Sequence, residues 1–149
     1  MIDKHLRILI VDPLHAHVLQ IEKMLNRMGY YCIATAGSAT EALRMSRAGR
    51  TPFDVLLAAD NLVRTPGMNG SSLEVYAIEN VFIYSRPADC ADMHLPHQGE
   101  RYWRCGLPEY LVLEWFMVRA QRRTPGATAT HHPSLCTNSP DYFALPGAG

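Results

Sequence analysis

Apolar and polar positions fall in short alternating blocks along the first 85 residues of this 149-residue chain. Residues 7–11 form a short β-branched run bounded by polar residues, the pattern of a strand buried on both faces. Over residues 14–28 the apolar positions recur as Leu14, Val18, Ile21, Leu25 and Met28, a helical stripe that Gly29 stops. Residues 31–36 read as a second strand. Ser38-Ala39-Thr40-Glu41 is a capping box, which satisfies the first amides of a helix carrying Ala42, Leu43 and Met45 and ending at Gly49. Residues 53–59 and 81–85 read as the third and fourth strands. Between them lie a turn-rich loop, 61–70, and room for a short helix at 71–80.

The pattern then weakens. Residues 86–101 hold Pro87, Pro96 and Gly99 and no helical period, so the fourth helix is expected to shrink to a turn or two. Residues 102–105 fit a short fifth strand, and 108–123 a last helix with Pro108 in its first turn. That helix is apolar on more than one face: Tyr110, Leu111, Val112, Leu113, Trp115, Phe116, Met117 and Val118 cannot all meet one sheet. The surplus is covered by the chain's own tail or forms a partner-binding or dimer face at Tyr110, Trp115 and Val118. Strands alternating with helices predict an α/β fold, a doubly wound parallel five-stranded sheet over residues 1–123. Residues 124–149 change character: rich in Ala, Thr, Pro and Gly, with Asp141 as their only Asp, Glu, Lys or Arg, they read as a low-complexity tail. Its apolar run Tyr142-Phe143-Ala144-Leu145 is suited to docking on an apolar surface.

Charge adds little. Fourteen basic and fourteen acidic residues cancel, leaving no field to steer the chain onto nucleic acid or an anionic membrane. No apolar run approaches a membrane span, and Met1 to Arg7 lacks the long apolar stretch and small-residue cleavage site of a signal peptide. The cysteines, Cys32, Cys90, Cys105 and Cys136, show no CxxC pair or regular spacing, so reduced thiols in a cytoplasmic protein are expected. Of seven histidines, His15 and His17 face different sides of a helix. His94 and His97 lie near Cys90 and Asp92, and His131 and His132 near Cys136. None has the spacing of a recognised zinc site. There is no Walker-type or Rossmann glycine fingerprint, and the loop after the first strand lacks the Ser/Thr/Gly density of a flavin phosphate loop.

The chemistry to test lies elsewhere. The first and third strands end in Asp12 and Asp60, and parallel pairing would bring both to the carboxyl edge of the sheet, where open α/β folds place their sites. Five motifs in order carry a resemblance here: Arg7-Ile8-Leu9-Ile10-Val11-Asp12, Leu25-Asn26-Arg27-Met28-Gly29-Tyr30, Ala39-Thr40-Glu41-Ala42-Leu43, Phe53-Asp54-Val55-Leu56-Leu57 and Pro66-Gly67-Met68-Asn69-Gly70. Together they resemble the receiver domain of two-component response regulators, over about residues 5–123. The resemblance implies a flavodoxin-like (βα)5 fold and a phosphoacceptor site with magnesium.

Matched residue by residue, that site is depleted. Asp12 falls on the first of two acids that hold magnesium, and Pro13, which has no carboxylate, on the second. The acceptor position falls on Ala59, with Asp60 one residue later. A one-residue step along a strand moves a side chain to the other face. The family's switch hydroxyl falls on Ser85 and its switch aromatic on Tyr102, both compatible. The phosphate-pairing lysine falls on Cys105 and the following proline on Gly106; Arg104 is cationic but belongs to the other face of a regular strand. The loop from Asp60 to Pro66 is two or three residues longer than the family pattern.

The expectation is therefore a stand-alone degenerate receiver-like module, not an enzyme, without a cofactor. It acts by contacts with a protein partner, a histidine kinase or another signalling protein, and as a homodimer. No DNA-binding segment, and no nucleic-acid or membrane partner, is expected. The alternative is an active phosphoacceptor that uses Asp60 with Asp12 and magnesium. A second alternative is a small-ligand or metal sensor at the same edge.

Overall fold

The computed structural model describes residues 4–63, 78–85 and 101–123. In chain order the elements are β1 (Ile8–Val11), α1 (His15–Arg27), β2 (Ile33–Ala36), α2 (Ala39–Ala48), β3 (Val55–Ala59), α3 (Asp60–Val63), β4 (Asn80–Ser85), β5 (Arg101–Cys105) and α4 (Tyr110–Arg123). The strands form one parallel sheet in the order β2-β1-β3-β4-β5. Order and direction are those of a doubly wound sheet, whose carboxyl edge gathers the residues that follow β1, β3, β4 and β5.

Each face of the sheet carries its own core. Ile8, Ile10, Val55, Leu57, Ala59, Phe82 and Tyr84 point to one side, where Val18, Ile21 and Leu25 of α1 and Leu113, Phe116, Met117 and Ala120 of α4 cover them. Leu9, Val11, Leu56, Ala58, Val81 and Ile83 point to the other, against Ala42 of α2. The uninterrupted apolar runs of β1 and β3 follow from this two-sided burial.

The helix punctuation read from the sequence operates as local hydrogen bonding. Ser38 Oγ accepts from the Glu41 amide at 3.1 Å, and Glu41 Oε2 accepts from the Gly37 amide at 2.8 Å. The carboxylate thus reaches one residue further back than the box requires. After α1, Gly29 adopts φ of 93°, and the Tyr30 amide returns to the Leu25 carbonyl. This is the left-handed stop for which glycine is suited.

Boundaries move by one or two residues. The Ile33 amide bonds back to the Tyr31 carbonyl, a tight turn that delays entry into β2. Asn80 joins β4 and Arg101 joins β5. Asp60, expected at a strand end, begins the single turn α3. The short helix expected at 71–80 falls mostly outside the described residues. The shrunken helix at 86–101, apart from Arg101, and the 124–149 tail also lie outside them.

One expectation is corrected. Cys32 and Cys105 are disulfide-bonded, not reduced thiols. Sequence spacing misleads here because disulfide partners are set by approach in space, which a count along the chain does not see. Among the described residues, no helix is long and apolar enough to cross a membrane.

Candidate functional site

The register fixes how the carboxyl edge is populated. Val11 pairs with Ala58, so Asp12 stands beside Ala59, and Ala59 pairs with Tyr84. Tyr84 in turn pairs with Arg104, while Ser85 pairs with Cys105. Asp12, Ala59, Tyr84 and Arg104 therefore occupy one row across four strands. Ala59 and Tyr84 belong to the core beneath α1 and α4.

Asp12 is 3% exposed, and both its carboxylate oxygens are engaged. Oδ1 accepts from the Leu14 amide at 2.8 Å, a turn across Pro13 that leads into α1. The Tyr84 hydroxyl donates to Oδ2 at 2.7 Å, and His17 Nδ1 lies 3.1 Å from the same oxygen. Asp12 and Tyr84 stand two strand spacings apart, roughly 10 Å between backbones. The tyrosine reaches the carboxylate by passing over Ala59, whose methyl group leaves the path open. Burial and the Asp12 carboxylate push the Tyr84 phenol far above its ordinary value, so it remains a donor.

The other expected residues are placed as follows. Asp60 is buried and starts α3, one residue beyond the Asp12–Ala59–Tyr84 row. Ser85 is buried at the end of β4. Tyr102 is wedged among aromatic rings, with centroids 4.9 Å from Phe82 and 5.5 Å from Trp115. Cys105 is exposed and disulfide-bonded. Gly106, at the family's proline position, has φ of 82°, which proline cannot adopt. Arg104 turns to Glu109 at 3.7 Å, an exposed pair of little energetic weight. On α4, Leu111, Trp115 and Val118 are 74%, 48% and 42% exposed. Tyr110 is half-buried beneath the Arg27 guanidinium, 5.0 Å from its ring.

Magnesium needs several hard oxygen ligands. In the Asp12–Ala59–Tyr84 row there is one carboxylate, already engaged on both oxygens; Pro13 and Ala59 supply none. Among the described residues, no group of three or more His, Cys, Asp or Glu could hold a metal ion. His94, His97, His131 and His132 lie outside those residues. Tyr84 and His17 are the partners that sequence reasoning missed. The sequence shows a small residue, Ala59, in one strand and a tyrosine, Tyr84, in the next, but not the register that sets them side by side.

No family model and no curated protein matches the sequence. Solved structures do match its fold. A response regulator receiver domain from Clostridium thermocellum superposes with a TM-score of 0.59 at 22% identity, covering 79% of this chain and 95% of that one. The receiver domain of a sensor histidine kinase from Pseudomonas aeruginosa, solved with magnesium in its active-site cleft, gives 0.57 at 21%, covering 79% and 98%. The receiver domain of the PhyR response regulator from Erythrobacter litoralis gives 0.61 at 17%, covering 85% and 97%. The chain has the receiver-domain fold.

Proposed function

We propose that this domain is a signalling module of two-component type that works by protein contacts and not through the usual aspartyl phosphate. One observation carries the reading: Tyr84 donates to Asp12 across Ala59, so a buried hydrogen bond occupies the ground where magnesium and the acceptor carboxylate would meet. Phosphoryl transfer depends on cations that neutralise developing charge. With Pro13, Ala59 and Cys105 at three of the positions, that neutralisation is lost. An amide NMR titration with magnesium chloride tests the reading. Millimolar magnesium is expected to leave the Asp12, Leu14 and Tyr84 amides unmoved; saturable shifts there would overturn it.

The partner we propose is a kinase or another signalling protein, with the exposed Leu111, Trp115 and Val118 stripe of α4 as the contact surface and a second copy as one occupant. The three residues recur at helical spacing, and the half-exposed Trp115 ring lies between Tyr102 at 5.5 Å and the Arg119 guanidinium at 4.7 Å. Light scattering behind size exclusion is expected to give a dimer that Trp115→Glu dissociates. A wild-type monomer at high concentration would count against this surface.

A further inference from the structure

Helix α4 carries apolar residues on two opposite faces. Leu113, Phe116, Met117 and Ala120 are buried against the sheet, while Leu111, Trp115 and Val118 are exposed. At about 3.6 residues per turn, the exposed three lie half a turn around the helix from the buried four. The outward stripe therefore points straight away from the domain's own core. The exposed Arg122 extends it by one more step, so Leu111, Trp115, Val118 and Arg122 recur at intervals of four, three and four. That alternation is the seam of two helices paired side by side, with Leu111 and Val118 at d positions and Trp115 and Arg122 at a positions. Between free peptides of 14 residues such a seam would be too short to hold, because the helices themselves would be marginal. Here the core beneath α4 has already ordered the helix, so pairing does not bear that cost.

The flanking charges choose an orientation. In this register Glu114 is the g residue and Arg119 the e residue, and both are exposed. The Arg119 guanidinium lies 4.7 Å from the Trp115 ring, which keeps it beside the seam. When two copies pair in parallel, a g residue meets the e residue five positions later on the other helix. Glu114 of each copy then meets Arg119 of the other, twice by symmetry, and the two Trp115 rings meet at the centre, the kind of aromatic anchor on which interfaces depend. When they pair antiparallel, g flanks face g flanks and e flanks face e flanks. Each Glu114 then looks toward the other copy's Glu114, and each Arg119 toward the other's Arg119. The parallel arrangement has one cost, the approach of the two Arg122 side chains. Arg122 sits in the last turn, where its stem can lie along the seam while the charged head turns to water.

We propose that the occupant of the α4 surface is a second copy of this chain, with the two α4 helices parallel about a two-fold axis that runs along them and with reciprocal Glu114–Arg119 ion pairs. This rests on the reading that the Leu111, Trp115 and Val118 stripe is a contact surface, and adds to it the occupant and the orientation. The same patch serves both copies, so the assembly closes at two.

The test mixes charge-reversed full-length chains in sedimentation equilibrium. Glu114→Arg and Arg119→Glu each turn both cross pairs from attractive to repulsive. Each variant alone is expected to raise the dimer dissociation constant about tenfold. An equimolar mixture of the two puts opposite charges back at both cross pairs, and is expected to dimerise about as tightly as the wild type. Recovery in the mixture also shows that both variants are folded. A wild-type dimer that neither reversal weakens, or a mixture no tighter than the single variants, overturns the parallel register and leaves the α4 contact surface standing. A wild-type monomer at high concentration overturns both.

Discussion

Exchanging Ala59 for aspartate is expected to destabilise the domain by about 3 kcal/mol or more, because a buried charged group that loses its hydrogen-bond partner costs more than the roughly 1–3 kcal/mol of a neutral one, without creating a phosphorylation site. The change puts a second carboxylate one strand spacing from Asp12, in a place 8% exposed. Two close buried carboxylates cannot both ionise cheaply. The new side chain also lies across the path of Tyr84, displacing a hydroxyl that donates to Asp12 at 2.7 Å. Urea unfolding of the wild type, Ala59→Asp, Tyr84→Ala and the double variant checks this. Because both changes break the same bond, the double variant is expected to lose clearly less than the sum of the single losses. A loss within about 0.5 kcal/mol for Ala59→Asp, the range of ordinary surface changes, would sink the crossing geometry.

Tyr84→Phe is expected to cost about 1.5–3 kcal/mol near neutral pH, the worth of a hydrogen bond to a charged group. Its pH dependence identifies the cause. In the fold the phenol's proton is held far above the ordinary value of 10.0, first by burial and then by Asp12. A group with a raised folded pKa contributes stability that is complete below its unfolded pKa and is lost as pH rises beyond it. The unfolded chain releases the Tyr84 proton above about pH 10 while the folded chain keeps it, so wild-type stability falls by about 1.4 kcal/mol per pH unit for this group. Tyr30, also raised by burial and by Glu114, adds a fall of the same sign. Unfolding followed from pH 8 to 11 is expected to show a shallower alkaline slope in Tyr84→Phe by up to one proton. Equal slopes would place the Tyr84 proton elsewhere.

Much of this architecture was legible before the structure. β1 and β3 announced themselves as apolar runs because both faces are covered, and α1 and α2 through a stripe, a glycine stop and a capping box. The assignment of Pro13, Ala59 and Cys105 to positions where the resemblance implies other residues also came from counting along strands. Tyr84 did not, because its role exists only once three strands are in register and a side chain crosses the middle one. Residues 81–85 reveal a buried strand but not which row its tyrosine joins. His17 was weighed as a metal ligand, whereas the first turn of α1 brings it back to Asp12, five residues earlier. The cysteines were misread for a related reason: approach in space, which decides whether Cys32 and Cys105 can form a disulfide, is not visible in spacing along the chain. The apolar surplus on α4 was legible as a surplus, and the helix resolves it into a buried set, Leu113, Phe116, Met117 and Ala120, and an outward stripe.

The most direct measurement is the intact mass of the protein after incubation with acetyl phosphate and magnesium. With Asp12 held by Tyr84 and alanine at the acceptor position, the mass is expected to stay that of the unmodified chain. A stoichiometric gain of one phosphoryl group that disappears in Asp60→Ala would contradict the account.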